Sequence, residues 1–309
     1  MRVSIIIVSY NTQAVTLRAL QSVVDSFSPT SQLKHDSEVI VVDNHSSDGS
    51  YAAVKKLVAT FFLPLTVLKN PKNTGFAHAN NQAIARARGE VLMLLNSDTL
   101  VSPGTIDQLY KTLTQSSMQR LGILAATLRN LDGTEQPQGG AIPTLWTLAN
   151  HLLLFDDLPF LGKYLPSTQH TGQRALPTPT KLRLQGWVAA TAVCIKKAVF
   201  IEIGLLDENI FMYGEDVEFC LRAQKHHWQV GIEPRAVVVH VQAGSSNKQT
   251  AILGELKGYS FIWTKHMPLW QRPLVNAIIR LGVVLRWWLF ATIGRSEEAR
   301  LYRSLLSKV

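Results

Sequence analysis

Acidic and amide side chains follow three apolar runs of this 309-residue sequence, at places where a ligand could bind. Asp43 ends the first of these runs, residues 70–75 follow the second, and Asn96-Ser97-Asp98 ends the third. In a parallel α/β sheet, ligands lie beyond the carboxyl ends of the strands. If the runs are strands of one such sheet, these side chains face a shared binding region.

Two adjacent carboxylates, Glu215 and Asp216, open a predicted helix at 215–225. A carboxylate within about 3 Å of a hydroxyl can remove its proton as the hydroxyl attacks an electrophile. Acidic residues in a first helical turn also complement the helix dipole. On position alone, both a catalytic and a structural role remain open for this pair.

Strands that alternate with helices are predicted to position these groups. Short β-branched runs indicate strands, and apolar residues at helical spacing indicate helices. The predicted strands are 3–8, 38–42, 65–68, 91–95 and 121–125, and the predicted helices are 13–26, 51–60, 76–88 and 104–114. Strands that are apolar at successive positions have no solvent-exposed face. The pattern therefore predicts an α/β fold with a mostly parallel sheet and helices on both faces.

The second half of the sequence is less regular. Prolines interrupt residues 133–181, which indicates a loop-rich insert. Order returns at 182–195, with helices predicted at 196–203 and 215–225 and a strand at 236–239. From residue 259 onward, four of the seven tryptophans occur among basic residues, which predicts a separate helical tail.

The net charge of +9 is concentrated in this tail. Residues 265–309 contain eight Lys or Arg and two Glu, which gives +6 of the +9. No basic stripe or reading module precedes residue 260, so nucleic acid is not expected as a partner. The sequence has no G-x-G-x-x-G after the first strand and no G-x-x-x-x-G-K-[ST], which argues against a dehydrogenase and a P-loop enzyme. Two cysteines and no secretory-signal pattern predict a cytoplasmic protein.

Five sequence strings occur in the same order as in a known family. They are SIIIVSYN at 4–11, VVDNHSSDG at 41–49, NTGFA at 73–77 with Asn80-Asn81, LLNSDT at 94–99, and FMYGEDVE at 211–218 with His240. Over residues 1–246 the chain resembles the family 2 glycosyltransferases of GT-A fold, in particular the rhamnosyltransferase-like group that acts on surface polysaccharides. The fold is therefore expected to be GT-A, a Rossmann-like arrangement.

The resemblance implies a nucleotide-sugar site in the first half of the chain. Asp43 would accept hydrogen bonds from the nucleobase or ribose. Asn73, Gly75 and Asn80 would line the donor pocket, although a loop and a helix start explain the same residues. Asn96 would contact the ribose or a metal-bound water.

The resemblance also implies a divalent cation, Mg²⁺ or Mn²⁺, that bridges the two phosphates of the donor. The sequence 96–98 resembles the D-x-D metal motif of the family, with Asn96 in place of the first carboxylate. Asp98 would therefore supply the charged ligand, and His240 would be a further ligand. A cation is needed because negative charge grows on the departing nucleoside diphosphate.

On the acceptor side, the resemblance makes Asp216 the catalytic base, with Glu215 orienting it or the acceptor. Trp187 is expected either to stack on the acceptor sugar or to lie in the core. Ala189-Ala190 stands where the family more often has Gly-Ala, which is a departure from the pattern on this side.

The apolar segment 273–293 predicts a membrane contact or a packed helix. On a scale of membrane-insertion free energies, the unfavourable contribution of its two central arginines is about as large as the favourable contribution of its apolar residues. The net free energy of spanning a bilayer is therefore close to zero. Tryptophans and flanking basic residues favour a helix that lies in the interface of a membrane. A helix packed on the catalytic domain or at a dimer interface is the alternative.

Together these inferences predict a metal-dependent inverting glycosyltransferase, located in the cytoplasm and peripheral on the inner face of the plasma membrane. It would move a sugar, rhamnose by resemblance, from a nucleoside diphosphate to a hydroxyl of a glycan or lipid-linked glycan. Residues 1–258 would form the catalytic domain, divided into a nucleotide-sugar half at 1–130 and an acceptor half at 131–258, with the tail at 259–309. The alternatives are a sugar nucleotidyltransferase and an inactive membrane-bound assembly factor.

Overall fold

The computed structural model describes residues 1–169, 181–242 and 248–309. The prolines predicted to interrupt the insert at 177 and 179 lie outside the described residues. In the first part of the chain, strands and helices alternate as the apolar pattern predicts. They are β1 (Val3–Ser9), α1 (Gln13–Asp25), β2 (Ser37–Asp43), α2 (Ser50–Leu57), β3 (Leu65–Lys69), α3 (Phe76–Ile84), β4 (Val91–Asn96), β5 (Thr99–Val101), α4 (Thr105–Thr114) and β6 (Leu121–Arg129).

The second part of the described chain has shorter strands and longer helices. Its elements are β7 (Glu135–Gln136), α5 (Leu145–Leu152), β8 (Arg183–Gln185), β9 (Ala192–Lys196), α6 (Lys197–Ile203), α7 (Glu215–Lys225), β10 (Gln229–His240), α8 (Lys248–His266), α9 (Arg272–Thr292) and α10 (Ser296–Leu305).

The strands form one mixed sheet in the order β3-β2-β1-β4-β9-β6-β10-β5, with β7 and β8 paired to β6 and β10. The first four strands in this order are parallel, whereas β9 runs antiparallel to both β4 and β6. β10 is parallel to β6 and antiparallel to β5. The reversed β9 brings the residues just before it to the carboxyl end of β4, where the backbone N–H of Asn96 donates to Thr191 O at 2.8 Å.

Helices cover both faces of the sheet, as expected. Ile5 and Ile7 point into a core cluster with residues of α1, α2 and α4, whereas Ile6 points into a second cluster with residues of α3, α5, α7, α8 and α9. This alternation follows from the two-residue period of a strand. Because both faces are buried, the central residues of β1 and β2, 5–8 and 39–42, are all apolar.

Helix α8 packs against the loop that precedes α7. Leu256, Tyr259, Ile262 and Trp263 are buried in the second cluster. A Cβ atom at Gly258 would lie 2.6 Å from the carbonyl oxygen of Tyr213, so only glycine permits this approach. The predicted boundary at 258/259 falls inside this continuous helix, and the division into domains stays a prediction.

One side of α9 is buried on the rest of the molecule, including the turns that contain Val275, Ile279 and Val283. The guanidinium of Arg286 donates hydrogen bonds to the carbonyl oxygens of Leu152 and His151 at the end of α5. These bonds satisfy carbonyls that have no partner within their own helix. One face of α9 is therefore packed on the rest of the molecule, as the alternative prediction of a packed helix states.

Several predicted element boundaries differ from the structure. The strand predicted at 236–239 is the end of the twelve-residue β10, and the segment 182–195 contains two strands, β8 and β9. The three-residue β5 was not predicted. Polar residues such as Gln229 and Glu233 interrupt the apolar pattern of β10, which explains why only its last part was recognised.

Candidate active site

A cavity of about 540 Å³ lies beyond the carboxyl ends of the parallel strands. Seven of the residues predicted to form the site line it. They are Asn73, Asn96, Asp98, Trp187, Glu215, Asp216 and His240. The structure thus brings Asp98 and Asp216, which are far apart in the sequence, to the walls of one cavity.

Asp98 and His240 meet at one end of the cavity. The distance from His240 Nε2 to Asp98 Oδ1 is 3.3 Å, and the pairing of β10 with β5 sets it. Past the last paired residue, the backbone N–H of Val241 donates to Asp98 O at 2.9 Å. His240 Nδ1 lies 2.9 Å from Gln136 Oε1, so a proton on Nδ1 leaves the Nε2 lone pair facing the carboxylate.

This pair has the chemistry of a divalent cation site. A carboxylate oxygen and an imidazole nitrogen are both ligands for Mn²⁺-type ions, and the contact between Gln136 and the other ring nitrogen is typical of metal-ligating histidines. Among the described residues, no group of three or more His, Cys, Asp or Glu could hold a metal by itself. A cation at Asp98 and His240 would therefore keep positions open for other ligands.

Acidic side chains dominate the walls of the cavity. The carboxylates that line it are those of Asp98, Glu215, Asp216 and Glu255. No Lys or Arg lines it in the three described ranges of the chain. An anionic ligand such as a diphosphate would therefore need a bound cation to neutralise its charge.

The loops after β2 and β3 are joined by the side chain of Asn44. Its Nδ2 donates to Asn73 Oδ1 at 2.9 Å and to Gly75 O, and its Oδ1 accepts from Asn70 Nδ2 and Thr74 N. Asn44 also lines the cavity. Asparagine is a common turn residue, so Asn44 was not among the predicted site residues, and its position beside Asp43 at a strand end was the signal that it could do more.

Three predicted donor-site residues do not line the cavity. Asp43 is buried next to it, with Oδ2 accepting from the backbone N–H of Ser46 and Oδ1 without a hydrogen-bond partner. Asn80 lies within α3 and donates to Phe76 O at 2.9 Å. Gly75 has φ of 85°, and a Cβ there would lie 2.5 Å from Phe211 O, so it allows two loops to touch.

Glu215 and Asp216 are the first residues of α7, immediately after Gly214, whose φ is 107°. Asp216 Oδ1 accepts from the backbone N–H of Val217 at 2.8 Å, and Oδ2 accepts from that of Ala190 at 3.3 Å. Glu215 is 5% exposed, and its Oε2 has no hydrogen-bond partner within the described ranges. The two carboxyl groups therefore have different surroundings.

These surroundings raise both pKa values for different reasons. Burial and then the charge of Asp216 raise the pKa of Glu215 to about 8. Burial also raises the pKa of Asp216, but the backbone N–H groups of Val217 and Ala190 oppose this by favouring the carboxylate. When the pair holds one proton, Glu215 is the better place for it, which leaves Asp216 as the negatively charged group.

Trp187 is 6% exposed and belongs to the core cluster that contains α7 and α8. Its indole N–H donates to Thr168 O at 2.6 Å. Trp187 is therefore a core residue that also lines the cavity, and its stacking on an acceptor sugar stays a prediction.

Sequence reasoning missed several lining residues. Tyr10, Gln138, Gln169, Glu255 and Tyr259 also line the cavity. The last two are four residues apart on α8 and were assigned to the end of the catalytic domain and to the tail. Their spacing on one helical face was the signal that could have linked them.

Comparisons with known proteins agree with this geometry. The model of the family described as "Glycosyl transferase family 2" matches residues 4–126. Residues 4–126 therefore carry a family 2 glycosyltransferase domain. This glycosyltransferase is 29% identical over 281 residues to the N-acetylglucosaminyl-diphospho-decaprenol L-rhamnosyltransferase of Mycobacterium tuberculosis, and the match covers 85% of this chain and 87% of that relative. The predicted resemblance is confirmed.

Solved structures share the fold at low sequence identity. GalNAc-T7 with UDP, GalNAc and Mn²⁺ has a TM-score of 0.62 at 17% identity, and the match covers 85% of the glycosyltransferase but only 48% of that chain. The mannosyltransferase PcManGT from Pyrobaculum calidifontis, in complex with GDP-Man and Mn²⁺, has a TM-score of 0.56 at 17% identity over 99% and 83% of the two chains. The predicted GT-A fold is confirmed.

The substitution Glu215→Gln is expected to make the protein less sensitive to alkaline pH. The pKa of Glu215 is raised from 4.5 to about 8 in the folded protein. The protonated group therefore contributes its full stabilisation when the pH is below the pKa of the unfolded state. This stability is lost as the pH rises through about 8, with a slope of at most ~1.4 kcal/mol per pH unit. Denaturant unfolding from about pH 5 to about pH 9 should show a smaller loss in the variant.

Glu208→Gln is the matched control. Hydrogen bonds from Asn81 and His78 lower the pKa of Glu208, so its contribution is lost on acidification and not at alkaline pH. This variant should lose stability above neutral pH as the native protein does. An equal alkaline loss in Glu215→Gln and native protein would contradict the assignment of the proton to Glu215.

Proposed function

We propose that this glycosyltransferase is a metal-dependent, inverting enzyme that moves a sugar from a nucleoside diphosphate to a hydroxyl of a glycan. The observation that carries the proposal is the composition of the cavity. It has a carboxylate-histidine pair at one end and the carboxylate pair of Glu215 and Asp216 in its wall, with no Lys or Arg among its described lining residues. Such a cavity favours a metal-bound diphosphate as the leaving group and a carboxylate as the base.

The donor would lie beside the parallel strands, with its diphosphate at Asp98 and His240. A divalent cation there would neutralise the charge that develops on the departing nucleoside diphosphate. The unpartnered buried Oδ1 of Asp43 supports a role in accepting a hydrogen bond from the nucleobase or ribose. Asn73 and Asn96 line the cavity and would contact the donor, while Gly75 and Asn80 would act by shaping the loop and helix beside it.

Asp216 would be the base. Its carboxylate receives two backbone N–H groups, which hold it in one orientation, and the neighbouring Glu215 would carry the proton that the pair retains. The acceptor hydroxyl would lose its proton to Asp216 as its oxygen attacks the anomeric carbon from the face opposite the diphosphate. This in-line attack inverts the configuration of the transferred sugar.

The similarity to a rhamnosyltransferase supports rhamnose as the transferred sugar and thymidine diphosphate rhamnose as the donor. The acceptor of that relative, by its name, is an N-acetylglucosaminyl diphosphate on a polyprenol. A glycan linked to a lipid diphosphate is accordingly the acceptor class that we propose.

A lipid-linked acceptor is consistent with a peripheral position on the inner face of the cytoplasmic membrane. One helix in the described part of the chain, at 269–292, is long and apolar enough to cross a membrane, with a mean hydropathy of 1.6 and only 22% of its apolar window buried. Its outer face exposes Trp270, Leu274, Leu281 and Trp288. Because Arg286 and the inner face are bound to the rest of the molecule, we propose that α9 lies on the membrane and does not cross it.

Asp216→Asn is expected to abolish transfer and to leave donor binding intact. Loss of a general base lowers rates by about 10²- to 10⁴-fold, whereas the amide keeps the size of the side chain. Transfer and slow donor hydrolysis would be followed with thymidine diphosphate rhamnose and other sugar nucleotides, and donor affinity by calorimetry. Asp132→Asn, in an exposed turn, is the control. Full activity of Asp216→Asn would refute the base assignment.

Asp98→Ala is expected to remove the metal dependence of donor binding. Calorimetry with a nucleoside diphosphate should show at least a roughly tenfold loss of affinity in the presence of Mn²⁺, because the charged ligand of the cation is gone. With a chelator, the native protein and the variant should bind equally weakly. Undiminished affinity of the variant with Mn²⁺ would contradict the proposed metal site.

Membrane contact is tested with the double variant Trp270→Ser/Trp288→Ser. The native protein should sediment together with vesicles that contain phosphatidylglycerol. The tail carries a net charge of +6, and each basic residue near an anionic surface contributes about 1 kcal/mol to the binding free energy. The double variant should bind at least roughly tenfold more weakly, because two interfacial aromatic anchors are lost. Phe62→Ser, which alters an exposed aromatic in another region, should bind as the native protein does. Equal binding of all three proteins would exclude this face as the contact.

A further inference from the structure

The cavity has a polar region on the side of α8 that is not part of the proposed donor site or the proposed base. Gln169, Glu255 and Tyr259 form this region, which we name the α8 subsite. Gln169 Nε2 donates to Glu255 Oε1 at 2.7 Å, and Glu255 and Tyr259 are four residues apart on α8. The indole N–H of Trp187 bonds to the residue before Gln169, so Trp187 adjoins the subsite.

The subsite contains a buried hydroxyl that has no hydrogen-bond partner among the described residues. Tyr259 is 2% exposed, and its hydroxyl lies beside Thr168 and Gln169. Oε1 of Gln138, another lining residue, is also buried without a partner in the described part of the chain, as is the hydroxyl of Thr168, which adjoins the lining. Buried polar atoms almost always have partners, so several of them around one cavity indicate a ligand with many hydrogen-bonding groups.

The hydrogen-bonding capacities at the subsite suit a sugar. Burial, and then the negative charges of Glu255 and Asp216, raise the pKa of the Tyr259 phenol well above its usual value, so the phenol donates. The carboxylate of Glu255 accepts and can bind hydroxyl groups. Tyr259 and Asp216 line the same cavity, so the subsite adjoins the proposed base.

Glu255 is held in position by His151, a residue that does not line the cavity. His151 Nε2 lies 3.4 Å from Glu255 Oε1, and His151 Nδ1 lies 3.7 Å from Asp156 Oδ2. Burial alone would lower the pKa of His151, but these two carboxylates outweigh it and raise that pKa to about 9. The imidazolium therefore fixes Glu255 without entering the cavity, whose described lining contains no Lys or Arg.

Close packing of α8 fixes the subsite relative to the base. Cβ atoms at Gly254 and Gly258 would lie 3.0 Å from Met212 O and 2.6 Å from Tyr213 O. The two glycines therefore let α8 touch the loop that leads into Glu215 and Asp216. Glu255 and Tyr259 project from the same two helical turns.

We propose that the α8 subsite binds the acceptor as a neutral pyranose, with Glu255 and Tyr259 bonded to its hydroxyls and the reacting hydroxyl directed at Asp216. This inference rests on the proposed function and adds the part of the acceptor that is recognised. The subsite reads the uncharged sugar ring, and any phosphate of the acceptor lies outside it.

The test uses acceptor probes that contain no phosphate, a panel of octyl β-glycosides of neutral hexoses and N-acetylhexosamines, with thymidine diphosphate rhamnose and Mn²⁺. At least one glycoside is expected to accept the sugar. Tyr259→Phe and Glu255→Gln should each raise the KM for that glycoside roughly five- to tenfold, as expected for one lost hydrogen bond. The donor KM and the rate of donor hydrolysis without acceptor should stay within about twofold of the native values.

Matched controls are Tyr302→Phe, on α10, and Glu202→Gln, on α6, neither of which lines the cavity. Both should keep the native KM for the glycoside. Tyr259→Phe keeps the aromatic ring in the core, so it separates loss of recognition from loss of folding, which thermal unfolding would also report.

Three outcomes would overturn the inference. The first is an unchanged KM for the glycoside in both subsite variants, and the second is a donor KM that rises equally with it. The third is a native protein that hydrolyses the donor but transfers to no glycoside in the panel, which would refute recognition of the neutral ring while leaving the proposed function in place. A native protein that neither hydrolyses nor transfers would instead refute the proposed function, and the subsite with it.

Discussion

Negative charge inside the cavity is the constraint on which the candidate site depends. Four carboxylates line a partly desolvated space in which the described walls contain no Lys or Arg. Two features reduce the resulting repulsion. The pKa of Glu215 is raised to about 8, which removes one charge at neutral pH, and the Asp98–His240 pair can hold a cation. An anionic donor therefore becomes a favourable ligand only after a cation has been bound.

Strand direction brings the members of this cavity together. The antiparallel pairing of β10 with β5 sets His240 beside Asp98, and the reversed β9 brings Ala190 within hydrogen-bond distance of Asp216. The first contact joins residues 1–130 to residues 131–258, whereas the second lies within residues 131–258 and connects the segment before β9 to the carboxylate pair. A change that displaced either strand would disturb both ends of the cavity, because β6 lies between β9 and β10 in the sheet.

The apolar pattern predicted the first part of the fold well, because β1, β2 and β4 are buried on both faces and contain continuous apolar runs. It could not give the direction of β9, since a strand has the same two-residue period in either direction. The site residues at strand ends could be predicted for the same reason, because they follow these continuous apolar runs. Asp43 and Asn80 were predicted from motif order, which does not report whether a side chain faces the cavity or the backbone beside it. Glu255 and Tyr259 were missed because their place in the site depends on glycine contacts between distant segments.

The charge pattern also divides a lipid-linked acceptor into chemically distinct parts. A diphosphate of the acceptor would find carboxylates at the α8 subsite and no described Lys or Arg, so it is excluded from this end of the cavity by charge. The neutral ring has no such penalty and meets unpartnered buried groups that need hydrogen bonds. The net positive charge of the chain is instead concentrated at 265–309, which begins at the end of the helix that carries Glu255 and Tyr259. One continuous helix thus connects the region that would read the sugar with the region whose charge and exposed tryptophans suit an anionic lipid surface.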